Sequence, residues 1–330
     1  MTLLLGPVLR HVDDTSALVW VQVDRPARVE VLGCSAATFE VSGLHYAIVP
    51  VTGLEPDTRT PYEVHIDGER VWPLATSAFP QSVIPTRGPV SASRQRVVFG
   101  SCRYVKLADP KLARQYGLDA LDAYATRMAG ADPSEWPTVL LLLGDQVYAD
   151  ELTPQTRRRI AGRAGRLPSG AHAERASTEH WPDDEVISFD EYSGLYRDTW
   201  SDPEVRWMMS TVPTAMIFDD HDVRDDWNTS GAWRRRVREL PWWRDRIRAG
   251  LAAYWVYQHL GNLSPAELEA DSYWQRVRAT DGDAWDVLVE MADHADAEVG
   301  AGADAHKEVR FSFCWELGRS RLVVIDSRNG

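Results

Sequence analysis

Cysteine is scarce in this chain of 330 residues: Cys34, Cys102 and Cys314 are the only three. So few cannot staple a disulfide scaffold, and an odd number leaves at least one free thiol. Long apolar runs are also missing. No stretch approaches the ~18 consecutive apolar residues that a membrane-spanning helix needs. At the N-terminus, Leu3-Leu4-Leu5 is cut at once by Gly6-Pro7, without the basic start and apolar core of a secretory signal. The residues as given read as cytoplasmic, with export expected only if a further segment precedes them. Positive charge is in deficit too: 36 Lys and Arg stand against 49 Asp and Glu, a formal net charge of -13. A field of that sign repels polyanions, so no nucleic-acid surface and no anionic-membrane surface is expected. Nothing in the pattern specifies an oligomeric state.

The composition, 44% hydrophobic and 26% charged, is that of a globular protein, and the length accommodates two domains. Residues 1–80 read as β. Ala17–Val23, Arg28–Val31, His45–Val49 and Tyr62–Ile66 are short runs rich in Val, Ile and aromatics, separated by turn residues such as Gly33, Gly43 and Asp67-Gly68. Strands at this spacing predict a small all-β sandwich; Leu54, Pro56, Thr58 and Tyr62 resemble the turn and tyrosine that precede a late strand in fibronectin type III domains, which implies a sandwich of fibronectin or immunoglobulin type. A stretch rich in Pro, Ser and Gly, residues 81–94, reads as a linker.

Residues 95–330 read as α/β. The apolar runs Arg96–Phe99, Thr138–Leu143, Ala215–Phe218 and Arg321–Ile325 have the pattern of strands buried on both faces. Between them, Leu112–Met128 and Trp243–Leu260 have helical periodicity, and Ser264-Pro265-Ala266-Glu267 is a capping box. Arg157–Glu185 reads as a long polar loop, and Arg157-Arg158-Arg159 within it as a solvated charge run. The tryptophans Trp242, Trp243 and Trp255 read as core.

The chemistry lies where the apolar runs stop. Ligand sites of α/β sheets lie beyond the strand ends, and these runs end at Cys102, Asp145, Asp219 to Asp222, and Asp326. A single Asp after a strand is most simply a turn residue. Several carboxylates at one sheet edge repel one another, and bound cations relieve that repulsion. The constellation therefore predicts a metal site. Cys34 and Cys314 sit inside strand-like runs and read as packed thiols.

Three blocks carry a resemblance: Phe99-Gly100-Ser101-Cys102-Arg103, then Gly144-Asp145-Gln146-Val147-Tyr148-Ala149-Asp150, then Asp219-Asp220-His221-Asp222-Val223-Arg224-Asp225-Asp226-Trp227-Asn228. In this order they resemble the motifs of the alkaline phosphatase D (PhoD-like) metallophosphatases. The resemblance implies a layered metallophosphoesterase-type α/β (α+β) domain behind the β-sandwich. It also implies hydrolysis of a small phosphate ester, a monoester or a diester, by a hydroxide that bound metal ions activate. By the same resemblance Asp145 bridges the metals, and Cys102, Tyr148, Asp219, Asp220 and Asn228 are further metal-binding candidates. Ferric iron with calcium, or manganese, is the implied metal content, because a phenolate ligand asks for a strong Lewis acid. His221 is implied as the group that protonates the leaving alkoxide, and its reference pKa near ~6.5 suits that work. Arg224 is implied as a phosphate clamp, with Arg103 a weaker candidate. Asp222 stands where the family more often has Glu.

Members of that family carry a later Gly-Asp-x-His block, and nothing after Asp222 matches it. His259, His294 and His306 follow no buried strand. The expectation is a chain lacking the C-terminal part of its catalytic domain, with one sheet edge or face left uncovered. A rival phospho-aspartyl hydrolase of haloacid dehalogenase type needs Asp-x-Asp after the first strand, where this chain has Ser101-Cys102. The remaining alternative is a non-catalytic protein that binds a partner through its β domain.

Overall fold

Strand β2 (Ser16–Val23) is buried along all eight residues, whereas β3 (Arg28–Val31) alternates exposed and buried. The difference follows from what covers each sheet. In the computed structural model, which describes residues 2–88, 95–104, 110–161, 181–298 and 308–329, the first unit has two four-stranded sheets. Its strands are β1 (Leu3–Val12), β2, β3, β4 (Cys34–Ala37), β5 (Phe39–Val41), β6 (Leu44–Thr52), β7 (Arg59–Pro61), β8 (Val64–Ile66), β9 (Glu69–Trp72) and β10 (Val83–Pro85). One sheet runs β1-β2-β6-β5, the other β4-β3-β8-β9, and β10 pairs with β7.

Side chains of a strand alternate between faces, and β2 divides its residues accordingly. Ala17, Val19, Val21 and Val23 enter the core between the two sheets with Val29, Val31, Val64 and Ile66. Leu18 and Trp20 enter a second core continuous with the α/β unit, alongside Leu5, Val8, Phe39, Tyr46 and Ile48. The first unit is thus built into the second. Polar contacts cross the same boundary: the Tyr46 and Tyr257 hydroxyls meet at 2.9 Å, Gln22 Nε2 donates to Ser193 Oγ at 3.1 Å, and the Tyr62 hydroxyl donates to the Ser210 carbonyl at 2.6 Å.

The second unit is ordered around three parallel strands, β11 (Val97–Gly100), β12 (Val139–Leu143) and β13 (Thr214–Ile217), in the order β11-β12-β13. Its helices are α1 (Pro110–Tyr116), α2 (Ala120–Ala129), α3 (Pro154–Ile160), α4 (Phe189–Trp200), α5 (Pro203–Thr211), α6 (Gly231–Val237), α7 (Trp243–Tyr254), α8 (Pro265–Ala270), α9 (Ser272–Ala279) and α10 (Trp285–Glu298). A hairpin of β14 (Phe313–Leu317) and β15 (Ser320–Val324) follows.

Several sequence expectations change here. The run Arg96–Phe99 forms β11, but as an edge strand with Phe99 70% exposed, so it is not buried on both faces. The run Arg321–Ile325 contains β15, yet β15 pairs antiparallel with β14 outside the parallel sheet, and Val323 and Ile325 are exposed. Apolarity alone did not distinguish these from β12 and β13, which are buried as expected. The helix expected over Leu112–Met128 breaks at Gly117, whose φ of 88° is left-handed, and restarts behind the N-cap Asp119. The helix expected over Trp243–Leu260 changes pitch after Tyr254 into a π turn, Trp255–His259. The expected linker 81–94 holds β10 at residues 83–85, and residues 89–94 lie outside the described set. Of the polar loop 157–185, residues 157–160 belong to α3 and 162–180 lie outside the described set; Arg159 pairs with Asp198 at 2.8 Å. Trp242, Trp243 and Trp255 are buried, as expected, and the Ser264–Glu267 capping box is present.

Candidate metal centre

The parallel strands β12 and β13 end in loops that touch. A Cβ on Gly144 would lie 2.4 Å from the Asp219 Cβ, and its φ is 110°, so only glycine lets the loops approach this closely. The next residue, Asp145, is left-handed at φ 50°, as is Cys102 at the end of β11 with φ 58°. Beyond Asp67, the described non-glycine residues with positive φ are Cys102, Asp145, Asp226 and Asn228, all in this region. Backbone strain of this kind persists where surrounding contacts fix it, often at functional sites.

One buried carboxylate ties the two loops together. Asp222 Oδ2 accepts the Asp145 amide at 2.8 Å and the Asp219 amide at 2.9 Å, while Oδ1 accepts Val147 N at 3.4 Å and Gln258 Nε2 at 3.1 Å. Burial and the nearby Asp145 push its carboxyl up to about 8, against the pull of the amide bonds.

Carboxylate oxygens of Asp145, Asp219 and Asp220 come within 4.8 Å of one another. Burial pushes the Asp145 carboxyl up, and repulsion from Asp219 and Asp220 adds to it. A cation already leans on this cluster: Arg328 Nε donates to Asp219 Oδ1, and Arg328 Nη2 lies 3.1 Å from Asp220 Oδ1. Cys102 Sγ donates to Asp145 Oδ2 at 3.2 Å. A bond to Ser101 pulls its thiol down, but burial and Asp145 raise it on balance. Tyr148 packs on the His221 ring at 4.7 Å, and burial, Asp145 and Cys102 raise its phenol above the ordinary value. Hard carboxylate oxygens joined by a thiol and a phenol form a donor set that suits a transition-metal cation.

The other sequence candidates divide. Asn228 stands at the rim, its amide donating to the Arg328 carbonyl at 3.2 Å. Arg224 turns away from the acids: it pairs with Glu185 at 3.2 Å and lies over the Trp242 ring at 5.3 Å. The expected phosphate clamp is thus engaged in a salt bridge, because Glu185 and Trp242 flank the loop on that side. Arg103 is likewise engaged, with Asp119 at 2.7 Å. Asp326 serves as a turn residue whose Oδ1 accepts the amides of Arg328 and Asn329, which presents Arg328 to the acids. His259 is buried among Tyr254 and Phe311, His294 bonds the Tyr273 hydroxyl, and His306 lies outside the described residues. Cys314 is exposed rather than packed, because it points outward from β14.

His221 has a partner that the sequence reading missed. Its Nδ1 lies 2.9 Å from Asp150 Oδ1, and Asp150 Oδ2 accepts the Asp225 amide at 2.6 Å. That bond, opposed by partial burial, raises the His221 pKa to about 9, so the imidazole keeps its proton at neutral pH instead of titrating near its reference value. Asp150 closes the Gly144–Asp150 block, and its place there was the available signal. Arg328, two residues after Asp326, was also missed. A cleft of about 770 Å³ opens beside Cys102 and Tyr148, lined also by Phe99, Tyr104, Leu118 and Leu142.

Two family models match the chain: DUF7800, a domain of unknown function, over residues 1–84, and PhoD-like phosphatase over residues 115–287. No curated protein matches it. Among solved structures it is similar to the structure of PhoD, with 17% identity and a TM-score of 0.50 over 80% of this chain. The chain spans 46% of that structure's length, and at this identity the likeness speaks for fold alone. A match to amylomaltase from Corynebacterium glutamicum, 13% identical over 89% of this chain and 42% of that one, has a TM-score of 0.13 and carries no argument.

Proposed function

The chain belongs to the PhoD-like phosphatase family, and from that membership we propose that it is a metal-dependent hydrolase of small phosphoric esters. The observation that carries the reading is the convergence of Asp145, Asp219 and Asp220 at the ends of β12 and β13, beside Cys102 and Tyr148. Asp145, Asp219 and Asp220 would hold the cations, with Cys102, Tyr148 and Asn228 as additional donors. Ferric iron with calcium or manganese is the content this donor set favours. When bound, such cations supply Lewis acidity, activating water and offsetting charge on the phosphoryl oxygens.

The chain's own groups do the rest. His221 holds a proton, with Nδ1 turned to Asp150 and Nε2 left toward the loop, 3.9 Å from the exposed Asp225. A protonated imidazole in that position can pass its proton to a departing alkoxide. Arg328, rather than Arg224, is the guanidinium beside the acids, and its fork suits phosphoryl oxygens once cations satisfy Asp219 and Asp220. Asp222 keeps the two loops in register. The net charge of -13 is no obstacle, since the local field is set by cations and Arg328.

The β unit works against the binding-module alternative. One of its faces, that of β1, β2, β5 and β6, is buried in the core shared with the α/β unit, which leaves such a module only the outer side of the β4-β3-β8-β9 sheet and the loops. The test is turnover of a chromogenic phosphomonoester and a diester by metal-stripped protein resupplied with iron, calcium or manganese. Metal-dependent hydrolysis of either supports the proposal; none with any metal refutes it.

A further inference from the structure

The π turn Trp255–His259 packs against β13, and all five of its side chains are buried. Turns of this pitch inside a helix are uncommon and concentrate at functional sites. Here the turn directs Gln258, fully buried, at Asp222. Gln258 Nε2 donates to Asp222 Oδ1 at 3.1 Å and to the Tyr196 hydroxyl at 2.8 Å. Of the four donors on the Asp222 carboxylate among the described residues, three are amides of the loops it ties together, Asp145, Val147 and Asp219. Gln258 is the donor that comes from outside them, so it sets the direction in which the carboxylate faces. The turn is itself held from the first unit. Arg10 of β1, fully buried, donates through Nη2 to the Gln258 carbonyl and to Asn262 Oδ1 at 3.1 Å. A Cβ on Gly261 would lie 1.8 Å from Arg10 Nε, so a glycine is needed for the arginine to pass.

We propose that Gln258 is a positioning residue for the metal centre, aiming the Asp222 carboxylate so that it gathers the Asp145 and Asp219 loops, with Arg10 securing Gln258 from the β unit. The proposal rests on the metal reading of the site. Outer-shell partners of metal ligands typically account for 10–100-fold in metal affinity. Gln258 makes its contribution at one remove, through the backbone of two ligands.

The test compares the wild-type chain, Gln258→Met and Tyr196→Phe, each stripped of metal and titrated with Mn2+. Methionine matches glutamine in length but donates nothing. It also removes Gln258 Oε1, a buried acceptor without a partner among the described residues, which offsets the cost to overall stability. Tyr196→Phe deletes the other partner of the same amide and keeps the ring that stacks on Tyr257 at 4.1 Å. For Gln258→Met, Mn2+ affinity should fall about tenfold or more. Its Asp145 and Asp219 amides should exchange with solvent deuterium at least about tenfold faster in the metal-free protein, without matching acceleration in β12. Tyr196→Phe should bind Mn2+ as the wild type does. Unchanged exchange or unchanged Mn2+ affinity in Gln258→Met overturns the proposal, as does an equal loss in Tyr196→Phe. If the wild-type chain fails to take up Mn2+, the metal reading itself falls and takes this one with it.

Discussion

Replacing Trp20 with alanine should destabilise both units of the chain together. Trp20 belongs to β2, yet it is 1% exposed and packs on Trp200 and Tyr257 of the α/β unit as well as on Tyr46 of its own sheet. Truncating a buried aromatic to alanine costs about 3–5 kcal/mol. Against this, the Trp20 indole nitrogen has no hydrogen-bond partner among the described residues, and removing an unsatisfied buried donor returns roughly 1 kcal/mol. The net expectation is a loss of about 2–4 kcal/mol. Trp20→Phe keeps most of the packing and sheds the same donor, so it should cost about 1 kcal/mol or less. Urea unfolding followed by far-UV circular dichroism and by tryptophan fluorescence reads this directly. A shared core requires both probes to shift to lower urea together in Trp20→Ala. A variant in which one transition moves and a second stays at the wild-type midpoint would refute the shared core, and with it the integration of the β unit.

Acid should destabilise the protein through two buried histidines. Burial holds His11 and His259 neutral with pKa values lowered to about 4. The unfolded chain takes up these protons near pH ~6.5, so the stability present above that pH drains away as pH falls toward 4, by up to roughly 3 kcal/mol for each group. His259→Leu should flatten the slope of unfolding free energy against pH between those limits, and an unchanged slope would count against it. Asp150→Asn removes the contact that contributes most to raising His221. Hydrolysis of alkyl phosphates, whose leaving groups need a proton, should then drop by about 100-fold, whereas nitrophenyl phosphate should be nearly spared; equal losses on both would argue against proton donation. Ferric iron bound to the protein should give visible charge-transfer absorption to which a phenolate and a thiolate both contribute; in a Cys102→Ser background Tyr148→Phe should abolish what remains, and a band that survives both substitutions would remove the phenol from the donor set.

The strand-end acids were legible because β12 and β13 announce themselves as apolar runs and because Gly144-Asp145 and Asp219-Asp220 follow them directly. What the sequence could not convey was which apolar runs share a sheet. Phe99 and Val323 look like core residues in a string of letters, but an edge strand and a detached hairpin leave both exposed. Partners brought together from a distance were equally hidden. His221 meets Asp150 across 71 residues, Arg328 meets Asp219 across 109, and Gln258 reaches Asp222 by way of a π turn that helical periodicity cannot reveal. A hydrogen-bond partner also reversed one chemical inference. The reference pKa of histidine pointed to titration near neutrality, whereas Asp150 holds the His221 proton up to about 9.

The central claim is that Asp145, Asp219 and Asp220 hold a cation, and a titration of metal-stripped protein with Mn2+, following the free ion by electron paramagnetic resonance, tests it most directly. Wild-type chain should take up Mn2+, and Asp145→Asn, which keeps the shape and loses the charge, should bind at least about 100-fold more weakly, the upper end of what losing even an outer partner costs. Equal uptake by the two proteins, or uptake by neither, would contradict the account.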